Sequence, residues 1–258
     1  MKPLILLTND DGINSPGLWA MAEAVQEIAD FLIVAPAYQQ TSMGRAFPRT
    51  ESLGIISPRK MCVNGASVTG YAVYGSPAYA VTYGILEVAD RKPDLCLSGV
   101  NYGENLGTNL TCSGTVGAIL EASTYQVPGI AISIPAEIGI QRSSKYPEMQ
   151  WDKIKKIVVY WAEKLLKEQV IYGTSWLNIN IPDPIPDPDV FCYTRQSHQN
   201  FFESVKPGKR YWSQPFELST VRKIQEELAP KDDIYVFSIQ KMTSVTPIVH
   251  DLTVPELR

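Results

Sequence analysis

The chain has 258 residues, enough to bury one large core or a core with an appendage. Its 45% hydrophobic and 19% charged residues are ordinary for a globular protein, and no run approaches the ~20 apolar residues of a membrane span. A formal net charge of -4 leaves no overall basic field, which argues against binding long nucleic acid.

The first strand is Leu4 to Thr8, an apolar run that ends in Asn9-Asp10-Asp11-Gly12. One Lys and four or five apolar residues before that turn are too few for a signal-peptide core, so the expected location is the cytoplasm. Leu18, Met21, Ala22, Val25, Ile28 and Ala29 then fall at helical spacing. Phe31 to Ala35 is a second strand, followed by "APAYQQTSMG". "MCVNGASVTGYAVYG" reads as a hairpin-like insert with turns at Asn64-Gly65 and near Gly70. Ser76 as N-cap and Pro77 at the first helical position open the next helix. Asp94 to Ser98 is a strand running into "SGVNYGEN", and "CSGTVGAILEAS" opens a helix at Ser113-Gly114-Thr115.

Gly129 to Ile134, a helical stripe at Trp151, Ile154, Ile157, Val158, Trp161 and Leu165, and Trp176 to Ile181 complete the pattern. Short strands that are apolar on both faces and alternate with helices predict an α/β fold built on a mostly parallel sheet. "IPDPIPDPD" marks the exit from that core, because its prolines suit neither a helix nor a central strand. Two regions are therefore expected, 1–182 as the core and 183–258 as an extension. The extension holds a helix-like piece, Thr220 to Leu228, and a late strand, Ile234 to Ile239. It is too thin to bury a core alone and is expected to pack on the main domain or on a neighbouring subunit.

Cys62, Cys96, Cys112 and Cys192 form no CxxC, so reduced and mostly buried thiols are expected. His198 and His250 are far apart, which nearly excludes a zinc site built on two or three imidazoles. In open parallel sheets, ligands bind beyond the carboxyl ends of the strands. Asp10 and Asp11, then Thr41 and Ser42, then Asn101 and Asn105 follow three such strands. Each stretch alone also reads as a solvated turn, but together they offer the carboxylate, hydroxyl and amide oxygens that suit Mg²⁺, Mn²⁺ or Ca²⁺. Ser113, Gly114 and Thr115 at a helix start supply N–H groups and hydroxyls for an anion, or merely cap the helix. The following Lys of a phosphate-binding Walker loop is missing, and the turn after the first strand is not GxGxxG. A cation site beside an anion site suggests phosphate ester hydrolysis, with an Asp accepting the proton of the attacking water.

"LLTNDDGINSPG", "VAPAYQQTSMG", "PDLCLSGVNYGENLGTN", "SGTVGAILEAS", "PGIAIS" and "SVTPI" occur in the order found in the stationary-phase survival protein SurE family, which this chain resembles over most of its length. The resemblance implies a metal-dependent phosphatase of nucleoside 5'- or 3'-monophosphates, and of short polyphosphate. It implies one divalent cation, Mg²⁺ or Mn²⁺, held by Asp10, Asp11, Thr41 and Asn101, with Asp10 and Asp11 catalytic. The phosphate site would fall on Asn105 and on Ser113, Gly114 and Thr115, with Asn9 nearby. The implied fold is a Rossmann-like sheet with helices on both faces, a hairpin insert and a C-terminal extension, the last two exchanging between subunits of a homodimer or homotetramer.

The chain departs from the family at Thr41-Ser42, where either hydroxyl could be the ligand, at Arg45 in place of a frequent His, and at Ser76 to Ala80. Arg45 is expected either to touch phosphate or to lie on the surface. Tyr102 offers a ring for base stacking or for core packing, and His198 is either a proton donor to the leaving group or an exposed hydrogen-bonding residue. The rival expectation is a non-catalytic nucleotide-binding or assembly protein, suggested by the changes near Thr41 and Tyr79.

Overall fold

The apolar run Leu4–Thr8 is buried on both faces, and its alternate side chains serve two different cores. The computed structural model describes residues 2–143, 145–224 and 227–253. The chain runs β1 (Leu4–Thr8), α1 (Pro16–Val25), β2 (Asp30–Pro36), β3 (Ile56–Val63), β4 (Ala66–Val73), α2 (Pro77–Tyr83), β5 (Leu95–Tyr102), α3 (Gly114–Thr124), β6 (Gly129–Ile134), α4 (Asp152–Glu168) and β7 (Trp176–Asn180). After these come β8 (Phe191–Tyr193), β9 (Phe202–Ser204), β10 (Thr220–Arg222), the short α5 (Asp233–Tyr235) and β11 (Thr243–Pro247).

Among the described residues, nine strands form one sheet in the order β3-β4-β2-β1-β5-β6-β7-β11-β8. β4, β2, β1, β5, β6 and β7 run parallel, while β3 pairs antiparallel with β4 and β11 antiparallel with β7. Ile5 and Leu7 pack with Leu18 and Met21 of α1 and with Ile157 and Trp161 of α4. Leu6 turns to the other face and packs with Val81 of α2 and with Val116 and Ile119 of α3. This period-two alternation places helices on both faces of the sheet, as expected of a doubly wound fold.

Because β2 and β5 flank β1 on its two sides, the strand order reverses there, and the carboxyl ends of β1 and β5 open a crevice. Ser76 caps α2 by accepting the Tyr79 N–H at 3.2 Å, with Pro77 at the first helical position. The hairpin turns at Asn64-Gly65, both at positive φ.

Several details differ from the sequence reading. Gly70 lies inside β4, not in a turn, and β4 pairs with β2, so the hairpin extends the sheet edge. Of the four cysteines only Cys96 is buried; Cys62 lies exposed on β3, and Cys112 is exposed. Ile234–Ile239 is helical, and the strand lies later, at β11. A short apolar run satisfies either geometry, and here the Asp233 carboxylate accepts the Ile234 N–H at 2.8 Å and favours the turn. Thr220–Arg222 is the strand β10, paired with β9, where a helix was expected; Gln225 and Glu226 of that stretch lie outside the described residues.

Candidate active site

The turn after β1 is closed by Asn9. Its Nδ2 donates to Gly12 O at 3.0 Å and its Oδ1 accepts from Gly12 N at 3.1 Å, so the amide serves the turn itself. Asp10 and Asp11 follow, 5% and 4% exposed. The hydroxyl of Thr115 donates to Asp10 Oδ1 at 2.7 Å. Gly114 comes so close that a Cβ there would lie 2.8 Å from the Asp10 Cβ. The Asp10 carboxylate therefore sits against the N-terminal turn of α3, where free N–H groups and the helix dipole favour negative charge.

Burial pushes the Asp10 carboxyl up to about 6 against the opposing pull of the Thr115 hydrogen bonds. Asp11 is raised well above the carboxylate range, first by burial and then by repulsion from Asp10. The Tyr102 N–H at 3.4 Å and the Gln39 amide at 3.4 Å oppose that rise. Among the described residues, no Lys, Arg or His forms an ion pair with either carboxylate.

β5 breaks its pairing with β6 between Ser98 and Asn101, which brings Asn101 to the crevice. Asn101 Nδ2 donates to Gly103 O at 2.6 Å, which leaves its Oδ1 as the acceptor end. Thr41 donates to Gln141 O at 2.7 Å and keeps lone pairs on its hydroxyl. A cavity of about 230 Å³ is lined by Asp10, Thr41, Ser42, Asn101, Asn105 and Ser113, among others. Asn105 Nδ2 donates to Ser133 Oγ at 2.8 Å and stands 3.4 Å from Thr115 Oγ1. The structure thus brings together residues from three strand ends and one helix start. Asn9, Asp11, Gly114 and Thr115 stand behind them and do not line the cavity.

The family profile described as "Survival protein SurE" matches residues 5–203. The chain belongs to the SurE family. It is 36% identical over 204 residues to the 5'-nucleotidase SurE of Methanothermobacter thermautotrophicus, covering 78% of this chain and 76% of the relative. It is 34% identical over 265 residues to the 5'-nucleotidase SurE of Methanocella arvoryzae, covering 98% and 94%. Its fold is similar to the crystal structure of the SurE protein from Aquifex aeolicus, with a TM-score of 0.75 and 29% identity over 99% of this chain and 96% of that one.

In this SurE chain the substituted positions have other duties. Arg45 Nε donates to the buried Glu121 at 2.7 Å, and Thr82 donates to the same carboxylate at 2.9 Å, so Arg45 ties its loop to α3. Tyr79 packs against Phe47 and Tyr83, with ring centroids 4.8 and 6.0 Å away. The Tyr102 ring is 2% exposed and packs on Tyr146 and Trp151, so core packing is its role. His198 is exposed and does not line the cavity.

The sequence reading missed the supports. Asn178 and Asn180 of β7 are fully buried, and both donate to Asn105 O, at 2.8 and 3.1 Å; Asn180 Oδ1 also accepts the Asn105 N–H at 2.8 Å. Two amides at period two in the apolar strand "WLNIN" are a visible signal, because buried amides need partners. Gln141, which closes the Thr41 side, and Tyr146, which donates to Asp11 O at 2.9 Å, carry no such local signal.

Proposed function

We propose that this chain is a divalent-metal-dependent 5'-nucleotidase that hydrolyses nucleoside 5'- (or 3'-) monophosphates to nucleoside and phosphate. The observation that carries this reading is the pair of buried carboxylates, Asp10 and Asp11, with no cationic partner among the described residues and with neutral oxygen donors gathered beside it. Two buried anions side by side are unfavourable unless a cation compensates them. No group of three or more His, Cys, Asp or Glu occurs among the described residues, so the donor set is two carboxylates with amide and hydroxyl oxygens. That set fits Mg²⁺ or Mn²⁺ and does not suit zinc.

Asp10, Asp11, Asn101 and the Thr41 or Ser42 hydroxyl would hold one such ion, which when bound supplies positive charge beside the phosphoryl group. Asn105, fixed by Asn178 and Asn180, orients the phosphate together with Ser113 and the N–H groups of Gly114 and Thr115. Asp10 lines the cavity with its Oδ1 held by Thr115, and one carboxylate of the Asp10–Asp11 pair accepts the proton of the attacking water.

Residues 1–182 serve as the catalytic core in this reading, and 183–258 as an extension for packing and for homodimer or homotetramer formation. Among the described residues no helix is long and apolar enough to cross a membrane, and the proposed location is the cytoplasm. The rival reading, a non-catalytic binder, loses one support because Tyr79 packs away among aromatic rings. Phosphate release from a panel of nucleotides with Mg²⁺, Mn²⁺ or EDTA tests the proposal. Metal-dependent release that disappears in Asp10→Asn is expected; no release, or release indifferent to EDTA and to this substitution, sinks it.

A further inference from the structure

The cavity that Asp10, Asn101 and Ser113 line is also lined by Phe202, Ser204 and Thr220 of the β9–β10 ribbon. Phe202 pairs with Arg222, and Ser204 with Thr220. Residues directly paired and two apart share one face of such a ribbon, so these four side chains lie together. Glu203 alternates to the other face and pairs with Lys223 at 2.9 Å.

Among the described residues, two aromatic side chains line the cavity, Tyr102 and Phe202. The Tyr102 ring is committed to the core. Phe202 is half-buried: its ring meets Phe201 edge-to-face at 5.0 Å, and the Arg222 guanidinium lies over it, 5.6 Å from the centroid. Arg222 is itself fixed by Glu104 at 3.0 Å and by Ala136 O. The ring is thereby backed by a cation whose own place is determined.

Phe202 is also tied to the phosphate end of the cavity through Asn109. Asn109 Oδ1 accepts the N–H groups of Phe201 and Phe202, both at 2.8 Å, and its Nδ2 donates to Phe202 O at 3.2 Å. Asn109 lies in the helical turn Thr108–Cys112, which runs directly into Ser113, the cap of α3. Asn109 therefore links the start of α3 to the backbone that carries the Phe202 ring, next to the bridge between Gly107 and Asn200.

We propose that Phe202 seats the base of a nucleoside monophosphate by stacking, with the Ser204 and Thr220 hydroxyls beside it, and that Asn109 is a positioning residue that fixes the spacing between ring and phosphate. This assignment rests on the phosphatase reading above and narrows its substrates to phosphomonoesters that carry a planar base. Every base has a π face, so stacking of this kind tolerates purines and pyrimidines alike.

The test uses the full chain with Mg²⁺ or Mn²⁺ and compares a nucleoside 5'-monophosphate with ribose 5-phosphate, which keeps the phosphate and sugar and lacks the base. Phe202→Leu retains apolar packing and removes the aromatic face; Phe202→Tyr retains both. Phe202→Leu should raise KM for the nucleotide roughly 5- to 100-fold, leave ribose 5-phosphate within about twofold, and be rescued by Phe202→Tyr. Asn109→Ala should raise KM for the nucleotide more than for ribose 5-phosphate. Equal losses on both substrates, or no loss in Phe202→Leu, overturn the proposal. If the parent hydrolyses neither ester, the catalytic reading fails, and calorimetric binding decides this one. Nucleotide affinity lost in Phe202→Leu and kept in Phe202→Tyr upholds stacking, whereas unchanged affinity, or no nucleotide binding by the parent, overturns it.

Discussion

Thr115 donates its hydroxyl to Asp10 Oδ1 across 2.7 Å, joining the first turn of α3 to the turn that follows β1. This bond pulls the Asp10 carboxyl down against the upward push of burial. Thr115→Val removes the donor at nearly constant volume, so Asp10 should hold its proton to a higher pH. The acidic limb of the pH profile of kcat/KM is expected to move upward, with a loss at neutral pH of roughly tenfold or more, the scale of a hydrogen bond to a charged group. Thr115→Ser should leave the profile near that of the parent.

Gly114 is the residue that allows this approach. Adding a methyl group 2.8 Å from the Asp10 Cβ forces the carboxylate or the helix start to shift. Alanine favours helices over glycine by about 1 kcal/mol, so Gly114→Ala should not weaken α3. The expected outcome is weaker Mn²⁺ binding by calorimetry and a large loss of phosphate release, with the circular dichroism spectrum unchanged. Parent-like metal affinity would contradict the proposed donor set.

The raised carboxyls also govern stability. Asp10 binds its proton more tightly in the folded chain, at about 6, than at its ordinary 3.8. The stability associated with that proton is fully present below the ordinary value and is lost as pH rises through about 6. The cumulative loss is about 3 kcal/mol in metal-free protein, and Asp11 acts in the same direction. In EDTA at pH 7.5, Asp10→Asn should unfold at higher urea than the parent, and the difference should close near pH 4. Saturating Mg²⁺ or Mn²⁺ should stabilise the parent and leave Asp10→Asn largely unaffected.

Asn178 and Asn180 clasp the backbone of Asn105 from β7. Asn180→Ala leaves the buried Asn105 N–H without its partner, at a cost of about 1–3 kcal/mol, whereas in Asn178→Ala the Asn105 carbonyl keeps the Asn180 donor and the loss should be smaller. Lower thermal stability and a raised KM are expected together. A stability loss with KM unchanged would show that Asn105 does not hold substrate.

Much of this architecture is visible in local sequence. Leu4 to Thr8 is apolar on both faces because both faces are covered, and the acidic turn that follows it could only be a solvated loop or a cation site. The supports were hidden because they act across long stretches of chain. Gln141 meets Thr41 from 100 residues away, and no periodicity reports that closure. Arg45 was read as facing phosphate or solvent, since its partner Glu121 lies 76 residues on within a helix. Ile234 to Ile239 shows the other kind of difficulty: a short buried apolar run fits a strand or a helical turn equally, and Asp233 decided the outcome from outside the run.

β11 lies between β7 and β8 in the central sheet, so the last part of the chain completes a layer that the first part begins. A fragment ending at Pro182 would keep every proposed catalytic side chain and yet expose the hydrogen-bonding edge of Trp176–Asn180, a mostly apolar strand. Bare edges of that kind recruit other chains. The boundary between catalytic core and extension is thus no place to cut: self-association of the shortened protein would follow from an unpaired backbone, and the wall that Phe202, Ser204 and Thr220 give the cavity would go with it.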